Sequence, residues 1–209
     1  MSWKPALPRE RWHEIENLYK SGLSMQSVAN RLRISLNAVT YVLRKRTVPR
    51  RSFVEANRLV FEAKPMSFSV KRAMIEKDRA LHLAGALLYW AEGYKTDKAT
   101  GLDFANSDPD MALLFMRFLR CRYSLDSKRL YCQVYYYADQ DIAAITSFWS
   151  KKLKLPPTSF RYPYKKVNFK PGGKKLPYGV VHIRYTDKKL LRDVMNLIQF
   201  YRDKYCVGG

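Results

Sequence analysis

The sequence predicts an α+β protein in two parts: a three-helix N-terminal domain, then an α+β domain built on a mainly antiparallel sheet. Three observations lead there. The chain has 209 residues with 47% hydrophobic content, enough for a small and a medium domain when domains run at roughly 100–200 residues. Residues 1–48 hold three short helical patterns and little else. After residue 76, strand and helix patterns follow one another without the one-for-one alternation that a doubly wound parallel sheet requires. The expected division is 1–48, a basic, partly helical linker 49–75, and 76–209.

In chain order, Trp12, Ile15, Leu18 and Tyr19 recur at helical spacing between Pro8 and Ser21, and Gly22 ends the pattern. Ser24 caps a second helix carrying Val28, Ala29 and Leu32, and Ser35 caps a third carrying Val39, Val42 and Leu43. Pro49 and Pro65 bracket a short helix near Val54 to Ala63. From Glu76 a helical pattern runs through Leu81, Leu83, Ala84, Leu87, Leu88 and Ala91 to Gly93. A turn-rich TDKATG then separates two short strand patterns. The second, Leu102 to Asn106, leads into Ser-Asp-Pro and a helix from Pro109 to about Tyr123. Leu130 to Tyr137 alternates as a strand with an aromatic outer face, and a helix covers Gln140 to about Leu153. Strands are expected near Phe160 to Val167 and Gly179 to Tyr185, and a last helix from Lys188 to about Tyr205.

Composition narrows the function classes. Lys and Arg total 39 against 18 Asp and Glu, a formal charge of +21, which attracts polyanions such as nucleic acid or anionic lipid. Apolar stretches break well short of the ~20 residues of a spanning helix, and MSWKPALPRERW lacks the apolar core of a signal peptide. The expectation is a soluble cytoplasmic protein, nucleoid-associated if bacterial, with no membrane partner. Cys121, Cys132 and Cys206 have no CxxC spacing and predict neither a disulfide framework nor a zinc site. His13, His82 and His182 are scattered and form no ligand or triad pattern by local spacing.

The stretch GLSMQSVANRLRISLNAVTYVLRK, Gly22 to Lys45, resembles helix-turn-helix domains of the resolvase and transcription-regulator kind. Ala29 is small enough for two helices to cross closely, Ile34 and Val39 fill the space between them, and Ser35 caps the second helix. Arg33 stands where many such motifs have Gly. The resemblance implies that Leu36, Asn37, Thr40 and Tyr41 face base edges in the major groove, with Arg44, Lys45 and Arg46 on phosphates. Asn37 is the best single candidate for direct readout, because Asn pairs bidentately with adenine. Arg50 and Arg51, in an acid-free TVPRRSF, suit a minor-groove arm. The bland alternative is a three-helix protein-interaction bundle.

GALLYWAEGYK, Gly85 to Lys95, followed by LDFANSDPDMALLFMRFL, Leu102 to Leu119, resembles the LAGLIDADG homing-endonuclease family and its domesticated relatives. Ala86, Leu88, Ala91, Glu92 and Gly93 match the nine-residue motif in identity or type, and the element order extends the likeness from about Leu81 to Tyr205. Trp90 stands where the motif often has a small or acidic residue. The resemblance implies a homodimer, since the chain has one motif, with Gly85, Ala86 and Ala91 at a two-helix seam. It also implies Glu92 as a catalytic carboxylate and hard oxygen ligand for Mg²⁺, if the domain is active. The other reading of Glu92 is a solvated or ion-paired carboxylate, mildly unfavourable at a helix C-terminus.

Between Asp141 and Asp187 there is no acidic residue. Lys151, Lys152, Arg161, Lys165, Lys166, Lys170, Lys174, Lys175, His182 and Arg184 fall there with interleaved Tyr162, Tyr164 and Phe169. That pattern predicts a surface that tracks phosphates, with Pro171-Gly172-Gly173 as a loop tip. Tyr131, Gln133, Tyr135 and Tyr137 either join it or pack beneath the helix Gln140 to Leu153. The function expected is sequence-specific binding of double-stranded DNA, as a homodimer and in a regulatory role. The alternative is a Mg-dependent homing-type endonuclease. RNA binding on the aromatic sheet face is a third reading, which the helix-turn-helix pattern opposes.

Overall fold

The computed structural model describes residues 8–71, 76–166 and 176–207. The chain divides into two compact units, Met1–Pro65 and Met66–Gly209. The division falls inside the expected linker 49–75, which is shared between the two units.

The first unit contains α1 (Glu10–Lys20), α2 (Met25–Leu32), α3 (Leu36–Lys45) and α4 (Phe53–Ala63). The serines read as caps do cap: Ser24 Oγ accepts from the Ser27 N–H, and Ser35 Oγ from the Ala38 N–H. Ser52 does the same for α4, which begins one residue ahead of the expected start. Ile15, Tyr19, Val28, Ala29, Val39, Val42 and Leu43 form the core, and Ile34 packs against it. Arg33, in the turn between α2 and α3, has φ 53° and ψ 43°. The Ile34 N–H then reaches the Ala29 carbonyl at 3.0 Å, a Schellman closure that normally draws glycine. Arginine therefore occupies the left-handed position itself.

The second unit is α+β. A four-stranded sheet has the order β2 (Leu102–Asn106), β6 (Val180–Tyr185), β4 (Leu130–Tyr137), β5 (Tyr164–Lys166). The β2/β6 and β6/β4 pairs are antiparallel and β4/β5 is parallel. A separate two-stranded ribbon joins β1 (Phe68–Val70) to β3 (Tyr123–Leu125). Neither ribbon strand was legible as a pattern, since each has three residues. Of the two strand patterns expected after Gly93, only the second is a strand; the first is reduced to a Gly93–Phe104 bridge. Phe160 likewise makes only an isolated bridge to Cys132, so the expected strand Phe160 to Val167 shrinks to β5 among the described residues.

Helices α5 (Glu76–Glu92), α6 (Pro109–Arg122), α7 (Ile142–Leu153) and α8 (Lys188–Arg202) complete the unit. Asp108, Asp141 and Asp187 cap the last three, each accepting a backbone N–H two residues on. Strand alternation divides the sheet into two faces. Leu102, Phe104, Leu130, Cys132, Val134, Val181, Ile183 and Tyr185 are buried in the core with residues of α5 to α8. Phe104 stacks on Phe115 of α6 with ring centroids 4.1 Å apart. Asp103, Tyr131, Gln133, Tyr135, His182 and Arg184 lie on the opposite, open face and are only half-buried.

Candidate nucleic-acid interface

On the first unit, α3 buries Val39, Val42 and Leu43 and leaves the other side open. Leu36 is 40% exposed and Tyr41 45%; Asn37, Arg44 and Lys45 are exposed, and Thr40 is half-buried. The Thr40 hydroxyl donates back to the Leu36 carbonyl at 2.9 Å, so it is occupied by its own helix. The Asn37 amide has no hydrogen bond among the described residues. Tyr41 packs edge-on against Trp12 and lies under the Lys45 ammonium, 5.8 Å from the ring centroid.

Two of the arginines expected on DNA turn inward. Arg46 Nε is 3.0 Å from Glu16 Oε2 and its guanidinium also contacts the His13 ring, tying the end of α3 to α1. Arg51 lies over the Tyr19 ring at 4.0 Å and donates from Nη1 to the Gly22 and Leu23 carbonyls at 3.3 and 2.9 Å. Its N–H donates to the Tyr19 hydroxyl at 3.0 Å. Carbonyls left over at the α1–α2 turn need donors, and Arg51 supplies them. Arg50 stays exposed.

On the second unit, the open face of the sheet carries a connected polar cluster. Register places Asp103 and Tyr131 on either side of Arg184, and Gln133 beside His182. Asp103 accepts from Arg184 Nε at 2.8 Å through one oxygen, and the other lies 2.9 Å from His182 Nδ1. Arg184 Nη1 donates to Gln133 Oε1, and Gln133 Nε2 donates to the Tyr162 carbonyl. Burial opposes the guanidinium charge, but Asp103 and the Tyr131 hydroxyl outweigh it and raise the Arg184 pKa. The His182 ring stacks on Tyr135 at 4.2 Å, and Tyr135 meets Tyr164 at 4.8 Å. Tyr131, Gln133, Tyr135 and Tyr137 thus join this face and do not pack beneath α7.

The basic residues expected with this cluster divide. Arg161 and Lys165 are exposed, Lys166 is half-buried, and Arg161 and Lys166 sit over Tyr131 and Tyr137. Lys151 is exposed on α7. Lys152 is bound to Asp110 of α6 at 2.6 Å, on the helical layer, so its charge is paired away from the open face. Lys170, Lys174, Lys175 and the Pro171-Gly172-Gly173 tip lie outside the described residues.

Helix α5 corrects the expected seam. A Cβ at Gly85 would stand 2.0 Å from Phe118 Cγ, so this glycine admits α6 and does not face a second chain. Ala86 is 1% exposed and belongs to the core. Ala91 is exposed, in a stripe with Ala80, Ala84 and Leu87, the last 46% exposed. The spacing 80, 84, 87, 91 is i, i+4, i+7, i+11, a single helix face that could have been read directly. Glu92 ends the helix exposed, with no hydrogen bond or ion pair among the described residues. Lys95 instead neutralises the helix end, donating to the Gly93 carbonyl at 2.6 Å. Among the described residues no three His, Cys, Asp or Glu side chains are grouped to hold a metal ion.

No family model matches this chain. Neither the curated proteins nor the solved structures supply a match. Among the described residues no helix is long and apolar enough to cross a membrane. Cys132 is buried and its thiol is pushed up to about 12, leaving it inert as a nucleophile at neutral pH.

Proposed function

We propose that this protein binds double-stranded DNA sequence-specifically, through α3 as the recognition helix of a helix-turn-helix and through the open sheet face of a LAGLIDADG-like domain. It acts as a homodimer and a regulator of the DNA it occupies. The observation that carries the reading is α3: a capped helix with one face sealed in a small core and the other presenting Asn37, Tyr41, Arg44 and Lys45 to solvent. A helix of that width fits a major groove, where an unengaged Asn amide can pair with adenine N6 and N7. The +21 formal charge supports the same partner.

Pairing of two chains runs along the α5 stripe of Ala80, Ala84, Leu87 and Ala91, where small residues permit close helix approach. Two copies of α3 then address two half-sites of a near-palindromic sequence. The test is selection from a random duplex pool followed by anisotropy titration across salt. Asn37→Ala should relax discrimination at one adenine roughly 5- to 150-fold. Arg44→Ala should weaken all duplexes alike and reduce the salt slope by about 0.9. Leu87→Lys should convert the dimer to monomer in sedimentation with the far-UV spectrum unchanged. A wild-type protein that enriches no sequence would end this reading.

A second reading, Mg-dependent cleavage, is favoured by Glu92 alone: an exposed carboxylate without a partner among the described residues is a hard oxygen ligand for the cation. It requires Glu92 from both chains of the dimer. Incubating the selected duplex with and without Mg²⁺, beside Glu92→Gln, decides it. Cutting that needs both metal and Glu92 establishes a nuclease, and intact DNA leaves the regulator.

A further inference from the structure

We propose that Arg184 reads a guanine in the DNA site and that Asp103 is its positioning residue. This rests on the reading of the open sheet face as a DNA surface. Arg184 occupies the middle strand of the β2–β6–β4 ladder, and its side chain is 26% exposed. A guanidinium has five N–H donors. Among the described residues, Asp103 and Gln133 engage two, leaving three for a ligand.

Two physical arguments select a base over a phosphate. First, the side chain is already immobilised from both neighbouring strands, so the rotamer entropy of an arginine is spent before DNA arrives. Direction is thereby gained, and direction matters more to a base edge than to a phosphate. Second, the Asp103 carboxylate at 2.8 Å offsets the guanidinium charge. A phosphate gains less from a neutralised pair than from the exposed Arg161 and Lys165 on the same unit. A neutral acceptor pair loses little, and in the major groove only guanine presents two acceptors, N7 and O6. Arg184 also lines a depression of about 250 Å³ with Tyr94, Lys98 and Tyr131. That volume suits the edge of one base, with the Lys98 ammonium available to its backbone. Asp103 faces Arg184 and His182 through its two oxygens, and its negative charge is repelled by phosphate, so it acts through Arg184.

The experiment is selection from a random duplex pool with wild type, Arg184→Lys, Arg184→Ala and Asp103→Asn, followed by titration of the selected duplex. Wild type is expected to enrich one guanine that Arg184→Lys and Arg184→Ala lose, while positions read by α3 stay enriched and an unchanged melting midpoint of the second unit shows the variants to be folded. Asp103→Asn should relax that same position and no other. Replacing the guanine with 7-deazaguanine should weaken wild type about 5- to 10-fold and leave Arg184→Ala unchanged. An equally strong guanine preference in Arg184→Lys, or an equal loss on every sequence in Arg184→Ala, would overturn the proposal in favour of a phosphate contact. If wild type enriches no sequence, the failure lies with the DNA reading itself.

Discussion

Replacing Gly85 by alanine is expected to destabilise the second unit, although alanine is the better helix former. The added Cβ falls 2.0, 2.4 and 2.5 Å from the Cγ, Cδ2 and Cβ of Phe118, where carbon contacts are comfortable at about 3.5–4.0 Å. Phe118 cannot give way. It is fully buried, edge-on to His82 and Tyr123, and tilted against Phe115. Relief therefore requires α5 and α6 to part by more than an ångström over a core that is otherwise filled. Overpacking of this kind costs about 3 kcal/mol, and the helix propensity of alanine returns about 1 kcal/mol. The net loss of about 2 kcal/mol lowers the unfolding midpoint by roughly 4–8 °C for a unit of this size. Calorimetry of the full chain reads it, and Gly85→Ala combined with Phe118→Leu should recover part of the loss. The sedimentation coefficient of Gly85→Ala below its midpoint should equal that of wild type. A midpoint equal to or above that of wild type, or dissociation without loss of stability, would refute the packing argument and return Gly85 to the seam.

Three further outcomes follow from the same geometry. Arg51→Ala should destabilise the first unit by about 1–2 kcal/mol, through lost carbonyl and ring contacts, while the salt slope of the proposed DNA binding stays as in wild type; a reduced slope would put Arg51 back on phosphate. Arg33→Gly should stabilise that unit by about 0.5–1 kcal/mol, since the left-handed backbone costs a non-glycine residue about 1–2 kcal/mol and glycine returns part as chain entropy; a lower melting midpoint would show that the arginine side chain contributes more than its backbone costs. His82 is 1% exposed, and burial, reinforced by Arg122 and opposed by Asp78, holds its pKa below 6.5. The folded state thus keeps a neutral ring, its contribution is complete above pH 6.5, and it is lost as pH falls through the depressed value. Urea midpoints of the second unit should fall more steeply on acidification in wild type than in His82→Gln, and parallel curves would contradict the burial.

Much of the fold was legible because its signals are local. Serine caps at 24 and 35, the Ser-Asp-Pro start of α6, and the alternation in Leu130–Tyr137 act over a few residues and survive into the structure. The exposed face of α3 was legible for the same reason, since a helix that buries Val39, Val42 and Leu43 must expose Asn37, Tyr41 and Arg44.

What only the tertiary structure decided is which partner each side chain meets. Gly85 reads equally well as a seam or as a packing site until Phe118, 33 positions later, is seen against it. Arg46, Arg51 and Lys152 are basic residues by composition, but Glu16, the Gly22 and Leu23 carbonyls, and Asp110 claim them. The Asp103, His182 and Arg184 cluster joins strands whose residues are 79 and 81 positions apart. By itself the sequence determined a basic α+β chain with a capped polar helix. Burial and charge pairing depend on distant neighbours, and only the fold decided which charges stay free and which face of α5 stays open.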